Sequence, residues 1–114
     1  MTRLLRIAPE MPATDLRAAL QHYAQRLGFT VAMESSDYAI VERDGVAIHL
    51  FEDRVRSHSP VGIHIFTPDL EELCAELQES GAFLKQGIEK KPWRNREFRV
   101  NDEYGNEIKF TEPG

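Results

Sequence analysis

One five-element pattern occurs twice in this chain, and that repeat restricts the fold more than any single motif. In the first half Leu16, Leu20, Tyr23 and Leu27 recur at the spacing of one buried helical stripe. Thr14 or Asp15 can cap the start of that helix, and Gly28 offers a left-handed stop. In the second half Leu70, Leu73, Cys74 and Leu77 form the matching stripe, opened by Asp69 behind Pro68 and closed by Gly81. Extended segments surround each helix. Ile7–Ala13 precedes the first; Phe29–Glu34, Tyr38–Arg43 and Val46–Glu52 follow it, the last two joined by the hairpin dipeptide Asp44-Gly45. Gly62–Thr67 precedes the second; Phe83–Gly87, Arg96–Asn101 and Glu107–Thr111 follow, with a turn from Asp102 to Asn106. Both halves read β-α-β-β-β.

The expected fold is therefore α+β, with two tandem βαβββ modules over residues 4–52 and 62–112 forming a curved mixed sheet with helices packed on one face. A module of about fifty residues buries too little surface to be stable alone, so the 114 residues are expected to fold as one domain. The polar stretch from Asp53 to Ser59 reads as a linker inside that unit. No apolar run is long enough for a membrane span, and Met1–Arg6 lacks the apolar stretch of a signal peptide. A cytoplasmic location without membrane association is expected. Fourteen basic against nineteen acidic residues give a net charge of −5, which disfavours phosphate backbones and argues against nucleic-acid binding. Cys74, the single cysteine, excludes an internal disulfide and a cysteine-rich zinc site; on the apolar helix face it fills space.

Alternation along the strands sorts the remaining side chains by face. Val46, Ile48 and Leu50 form an apolar set, leaving Ala47, His49 and Phe51 opposite. Ile63 and Ile65 belong under the second helix, with Gly62, His64 and Phe66 on the other side. Phe98 and Val100, like Ile108 and Phe110, read as core, so Glu97, Arg99 and Lys109 join the opposite face. Two phenylalanines among charged groups suit a small-molecule cavity or a subunit interface better than open solvent. The candidate ligand-binding residues are His49, Phe51, His64, Trp93, Glu97 and Lys109. Trp93 lies in the basic stretch Lys90-Lys91-Pro92-Trp93-Arg94-Asn95-Arg96. There it is either a packed residue of a solvated loop or a flat wall for a planar ligand or a cation. No phosphate loop, nucleophile elbow or Cys/His pairing is present, and no catalytic residue is assigned.

Several motifs carry a resemblance. Ala8-Pro9-Glu10-Met11-Pro12 leads into Thr14-Asp15-Leu16, His22-Tyr23 precedes Leu27-Gly28-Phe29, and the run from Pro92 to Asp102 is followed by Gly105-Asn106. In these the chain resembles the vicinal oxygen chelate superfamily (glyoxalase, bleomycin resistance, dioxygenase), and its bleomycin-resistance-like branch in particular. The metal-dependent members of that superfamily take one ligand from each of four strands. Counting back from Asp15 and Asp69, and forward from Gly45 and Gly105, places those positions at Ala8, Gly62, His49 and Lys109. Only His49 can ligate there, and an ammonium repels a divalent cation. The resemblance thus implies a metal-free, cofactor-free homodimer that sequesters a small organic molecule, aromatic or antibiotic-like, including the bleomycin type. The basic stretch around Trp93 fits a neutral or anionic aromatic ligand. Two alternatives stand beside it. A frame displaced by two residues brings Glu10 and His64 beside His49, with Glu97 near, and implies a metal-dependent lyase, transferase or dioxygenase. A regulatory or scaffolding module is the other.

Overall fold

The computed structural model describes residues 1–90, 92 and 95–113, and Trp93 lies outside them. The elements run β1 (Glu10–Ala13), α1 (Leu16–Gln25), β2 (Thr30–Glu34), β3 (Tyr38–Arg43), β4 (Val46–Glu52), β5 (Gly62–Phe66), α2 (Leu70–Glu79), β6 (Leu84–Lys90), β7 (Arg96–Asn101) and β8 (Glu107–Thr111). The strands form two four-stranded sheets, in the orders β1-β4-β3-β2 and β5-β8-β7-β6. In each, the first strand pairs in parallel with the last and the other pairings are antiparallel. The two βαβββ modules share one topology.

Local sequence explains the element ends. The Asp15 carboxylate accepts a hydrogen bond from the Ala18 amide at 3.2 Å, capping α1. Gly28 turns the chain out of α1 at φ 75°, and a Cβ there would meet the Arg43 guanidinium at 2.7 Å. That guanidinium is fixed because it donates to the Leu27 carbonyl at 2.9 Å. Asp69 holds the cap position of α2 without making a side-chain cap; Glu71 and Glu72 in the first turn complement the helix dipole instead. Two strands differ from expectation by more than one residue. β1 begins at Glu10 rather than Ile7, and Ile7 is almost fully exposed because no neighbouring strand reaches it. β6 runs to Lys90, and bulges against β7 absorb its irregular alternation.

One apolar cluster spans both modules. It joins Met11, Leu16, Leu20, Tyr23, Leu27, Val41, Ile48 and Leu50 to Leu70, Cys74, Leu77, Phe98, Val100, Ile108 and Phe110. Phe98 and Phe110 stack with centroids 5.1 Å apart. Each fully buried leucine or phenylalanine contributes ~2 kcal/mol, so this cluster is what joins the modules. Polar links fix how they meet. The buried Asn106 donates to the Pro12 carbonyl at 2.8 Å and to Asp102 Oδ2 at 2.8 Å, and its Oδ1 accepts from the Val61 amide at 2.9 Å. Asp102 Oδ2 also accepts from the Tyr23 hydroxyl at 2.9 Å, while its Oδ1 accepts from the amides of Tyr104, Gly105 and Asn106. Burial, together with the Asp102 charge and hydrogen bond, raises the Tyr23 phenol well above its usual range. The run from Asp102 to Asn106 is thus a structural joint between modules.

The stretch after β4 is more than a linker. Asp53 is 5% exposed and accepts from the Tyr104 hydroxyl at 2.7 Å, the Ser57 hydroxyl at 2.7 Å, and the amides of Ser57 and His58 at 2.9 Å each. Burial alone would raise this carboxyl, but those donated hydrogen bonds hold it well below the usual carboxylate range. Cys74 is a buried free thiol, pushed up by desolvation, as a space-filling role requires.

Candidate ligand-binding site

Strand register places the polar face of each sheet residue by residue. In the first sheet Glu10, His49 and Ile40 form one cross-strand row, and Pro12, Phe51 and Tyr38 form the next. In the second, His64, Lys109 and Arg99 form the matching row, followed by Phe66, Thr111 and Glu97. Met11, Leu50 and Ala39, on the intervening positions, are buried toward α1, which confirms the alternation. His49 and Phe51 are therefore neighbours on one sheet, while His64, Lys109 and Glu97 lie together on the other.

The first face centres on the hydroxyl of Tyr38. It donates to Glu10 Oε2 at 2.7 Å and lies 2.8 Å from His49 Nδ1. The Tyr38 and His49 rings meet edge to face, 5.7 Å between centroids. The hydrogen bond to Glu10 is the main cause that raises the Tyr38 phenol above its ordinary range. Phe51 packs edge-on against His58 from the segment after β4, with centroids 4.9 Å apart. Tyr38 escaped the sequence reading, although the Asp44-Gly45 hairpin fixes a register that pairs it with Phe51.

The second face is a charge network. Glu97 is fully buried and accepts from Arg99 Nε at 3.2 Å. Arg99 also reaches Glu107 at 3.7 Å, and Lys109 Nζ lies 3.8 Å from the same carboxylate. His64 Nδ1 sits 3.2 Å from the Thr111 hydroxyl, and its ring stacks on Phe66 at 6.1 Å. Phe66 is 63% exposed. Glu97 holds the Arg99 guanidinium, and the Arg99 and Lys109 side chains are both partly exposed on this face.

The register also corrects the metal positions. Ala8 lies outside β1, and Gly62 pairs with Glu107 rather than with Lys109. The residues beside His49 and Lys109 are Glu10 and His64, so the count from the helix-opening aspartates is displaced by two. The four matching positions are Glu10, His49, His64 and Lys109. This set does not fit a divalent metal. Lys109 contributes a cation, and Tyr38 already engages both Glu10 and His49. Among the described residues no group of three or more His, Cys, Asp or Glu side chains is placed to hold a metal ion.

Among the clefts that the described residues form elsewhere, two lie each between the helix of one module and a hairpin turn of the other. One, about 440 Å³, is bordered by Gln21, His22, Arg26, Phe83 and Asp102; the other, about 400 Å³, by Phe29, Asp44, Phe66, Glu72 and Phe110. Neither contains His49 or Lys109. These clefts are the seams where two equivalent modules meet, and the first carries polar groups of its own, among them His22, Arg26 and Asp102. No helix among the described residues is long and apolar enough to cross a membrane.

Known proteins place this geometry in context. Residues 3–110 match the family model described as Glyoxalase/Bleomycin resistance protein/Dioxygenase superfamily. A bleomycin resistance protein of Geobacillus stearothermophilus is 26% identical over 126 aligned positions, spanning 94% of this chain and 96% of that protein. The structure of the bleomycin-binding protein from Streptomyces verticillus, solved with copper(II)-bleomycin, superposes with a TM-score of 0.80 at 25% identity and covers all of both chains. The bleomycin resistance determinant of transposon Tn5 superposes at 0.85 with 17% identity, covering 96% of this chain and 98% of its own, a likeness of fold.

Proposed function

This chain belongs to the Glyoxalase/Bleomycin resistance protein/Dioxygenase superfamily, and from that membership we propose that it is a metal-free binding protein which sequesters a small organic molecule, aromatic or antibiotic-like, as the bleomycin-binding members do. The observation that carries this reading is the Lys109 ammonium in register with His64. At the position where a metal site needs its fourth donor, the sheet presents a cation. Affinity then comes from burying apolar and planar surface against Phe51, Phe66 and Trp93. Orientation comes from His49, His64 and Lys109, with Glu97 fixing the neighbouring Arg99.

The binding unit is a homodimer in this reading, with grooves lined by both subunits. An exposed apolar arm supports it: Leu4, Leu5 and Ile7 are 98%, 77% and 95% exposed, a stretch that a second copy would cover. The chain itself is one folding unit over residues 1–114, supported by the shared apolar cluster and the Asn106 links. A cytoplasmic setting is consistent with these features and with sequestration.

Elemental analysis of untagged protein purified without chelator, followed by incubation with Zn, Mn, Ni and Fe(II), tests the metal-free claim. Metal well below stoichiometric, with no thermal shift on addition, is expected. Stoichiometric metal would establish the second reading instead, a metal-dependent lyase, transferase or dioxygenase. One observation favours that rival: the register that sets Glu10 beside His49. Light scattering on the same sample tests the dimer, and a monomer at micromolar concentration would contradict it.

A further inference from the structure

The Tyr38 hydroxyl makes two short contacts, 2.7 Å to Glu10 Oε2 and 2.8 Å to His49 Nδ1, yet it carries a single proton. A carboxylate has no proton to give, so the Tyr38 proton lies on the Glu10 side. At 2.8 Å the other contact cannot set two lone pairs against each other. The imidazole N–H must therefore be on Nδ1, donating to the phenol oxygen. In the neutral ring this leaves the lone pair on Nε2. That nitrogen has no hydrogen-bond partner among the described residues, and the side chain is half-buried between Ile40 across the sheet and Phe51 along the strand. The edge-to-face contact with Tyr38 fixes the plane of the ring.

We infer that Glu10 and Tyr38 lock His49 in the Nδ1–H tautomer, so that Nε2 is a fixed hydrogen-bond acceptor that selects ligands presenting an N–H or O–H donor. Glu10 and Tyr38 are positioning residues, and His49 is the contact. A donor-bearing ring gains one hydrogen bond in a partly dry setting; an isostere without the donor leaves Nε2 facing apolar surface. The second sheet works the other way. Glu97 stands where the first sheet has Tyr38, and the row it supports, Lys109 and Arg99, can only donate. The ligand class is thus a planar molecule with its donor edge toward His49. This selectivity rests on the sheet face being the ligand site; the tautomer does not.

Long-range proton–nitrogen correlation spectra of the ¹⁵N-labelled full chain test the tautomer directly. With the ring neutral, His49 Nδ1 is expected to be the protonated, pyrrole-type nitrogen and Nε2 the pyridine-type one. A wild-type spectrum with the proton on Nε2 overturns the inference without needing a variant. Titration with indole and 1-methylindole, followed at the His49 Nε2 resonance, tests the selection. Indole is expected to bind ~10-fold more tightly, the loss of about one hydrogen bond in its methylated analogue. In Tyr38→Phe the preference is expected to disappear and the Nε2–H form to appear. Equal affinities in the wild type, or no Nε2 shift with indole, overturn the selection. Failure to bind bleomycin with the Nδ1–H tautomer intact would count against the proposed function alone.

Discussion

The two sheets have the same strand order and the same helix-facing side chains in kind, yet their other faces do opposite chemistry. Where the first sheet has Glu10, His49 and Ile40, the second has His64, Lys109 and Arg99. Where the first has Tyr38 and Phe51, the second has Glu97 and Thr111. One face therefore holds an imidazole joined to a carboxylate through a phenol, with Ile40 as its apolar neighbour across the sheet, and the other an array of cations steadied by a buried carboxylate. The buried alternate positions leave little freedom, because each must fit a close-packed core. On the opposite faces Pro12, Glu97 and Thr111 are buried as well, whereas His49, Arg99 and Lys109 stay partly exposed, so it is at these last positions that the two copies are freest to differ.

The largest effect is expected at the joint that sets the two faces relative to each other. Asn106→Ala leaves the Pro12 carbonyl, the Val61 amide and part of Asp102 without partners in a buried setting. A loss of about 3 kcal/mol in urea unfolding is expected, with both halves unfolding together. Two separate transitions would mean that the modules fold independently. Lys109→Glu makes the second face resemble a metal-binding one. Divalent nickel or zinc affinity is expected to rise at least ~10-fold by titration calorimetry, since a repelling cation becomes a donor beside His64. Unchanged affinity would show that Lys109 does not face a shared site.

Acid tests the segment that joins the modules. Asp53 has its carboxyl depressed in the folded chain by donors from Tyr104, Ser57 and His58, despite its burial. A depressed acid contributes stability above its unfolded value, about 4, and loses it as pH falls toward the folded value. The urea midpoint of the wild type is expected to drop below about pH 4, with a shallower drop in Asp53→Asn. Parallel curves would remove Asp53 from the acid response. The smallest effect belongs to the Arg43–Glu76 bridge between modules, 2.9 Å long but partly exposed. Glu76→Ala is expected to cost about 0.5 kcal/mol, less at high salt. A salt-independent loss would point to packing instead.

How far the sequence could be read follows from the same contrast. Periodicity marked both helices and hairpins because an apolar stripe or an Asp44-Gly45 turn is a local signal. The Val46–Glu52 and Glu107–Thr111 strands were legible to the residue, as was the face on which His49 and Lys109 lie. Parallel register was not. Which residue of β1 stands beside His49 depends on how the helix returns the chain to the sheet, and a count from Asp15 missed it by two. Burial of Glu97 was hidden for a related reason. Alternation gives the face of a strand but not how deeply a residue on it is buried, and Glu97 is fully buried while accepting from Arg99. Asp53 looked like linker because, although three of its four hydrogen-bond donors come from Ser57 and His58 in the same segment, the Tyr104 hydroxyl that helps bury it comes from 51 residues away.

The most direct test of the binding role is calorimetric titration of chelator-treated full-length protein with metal-free bleomycin. Saturable, stoichiometric binding without added metal is expected, weakened when His49 is replaced by alanine. Absence of heat under those conditions, or binding that appears only after the protein is loaded with zinc or nickel, would contradict a metal-free sequestration site.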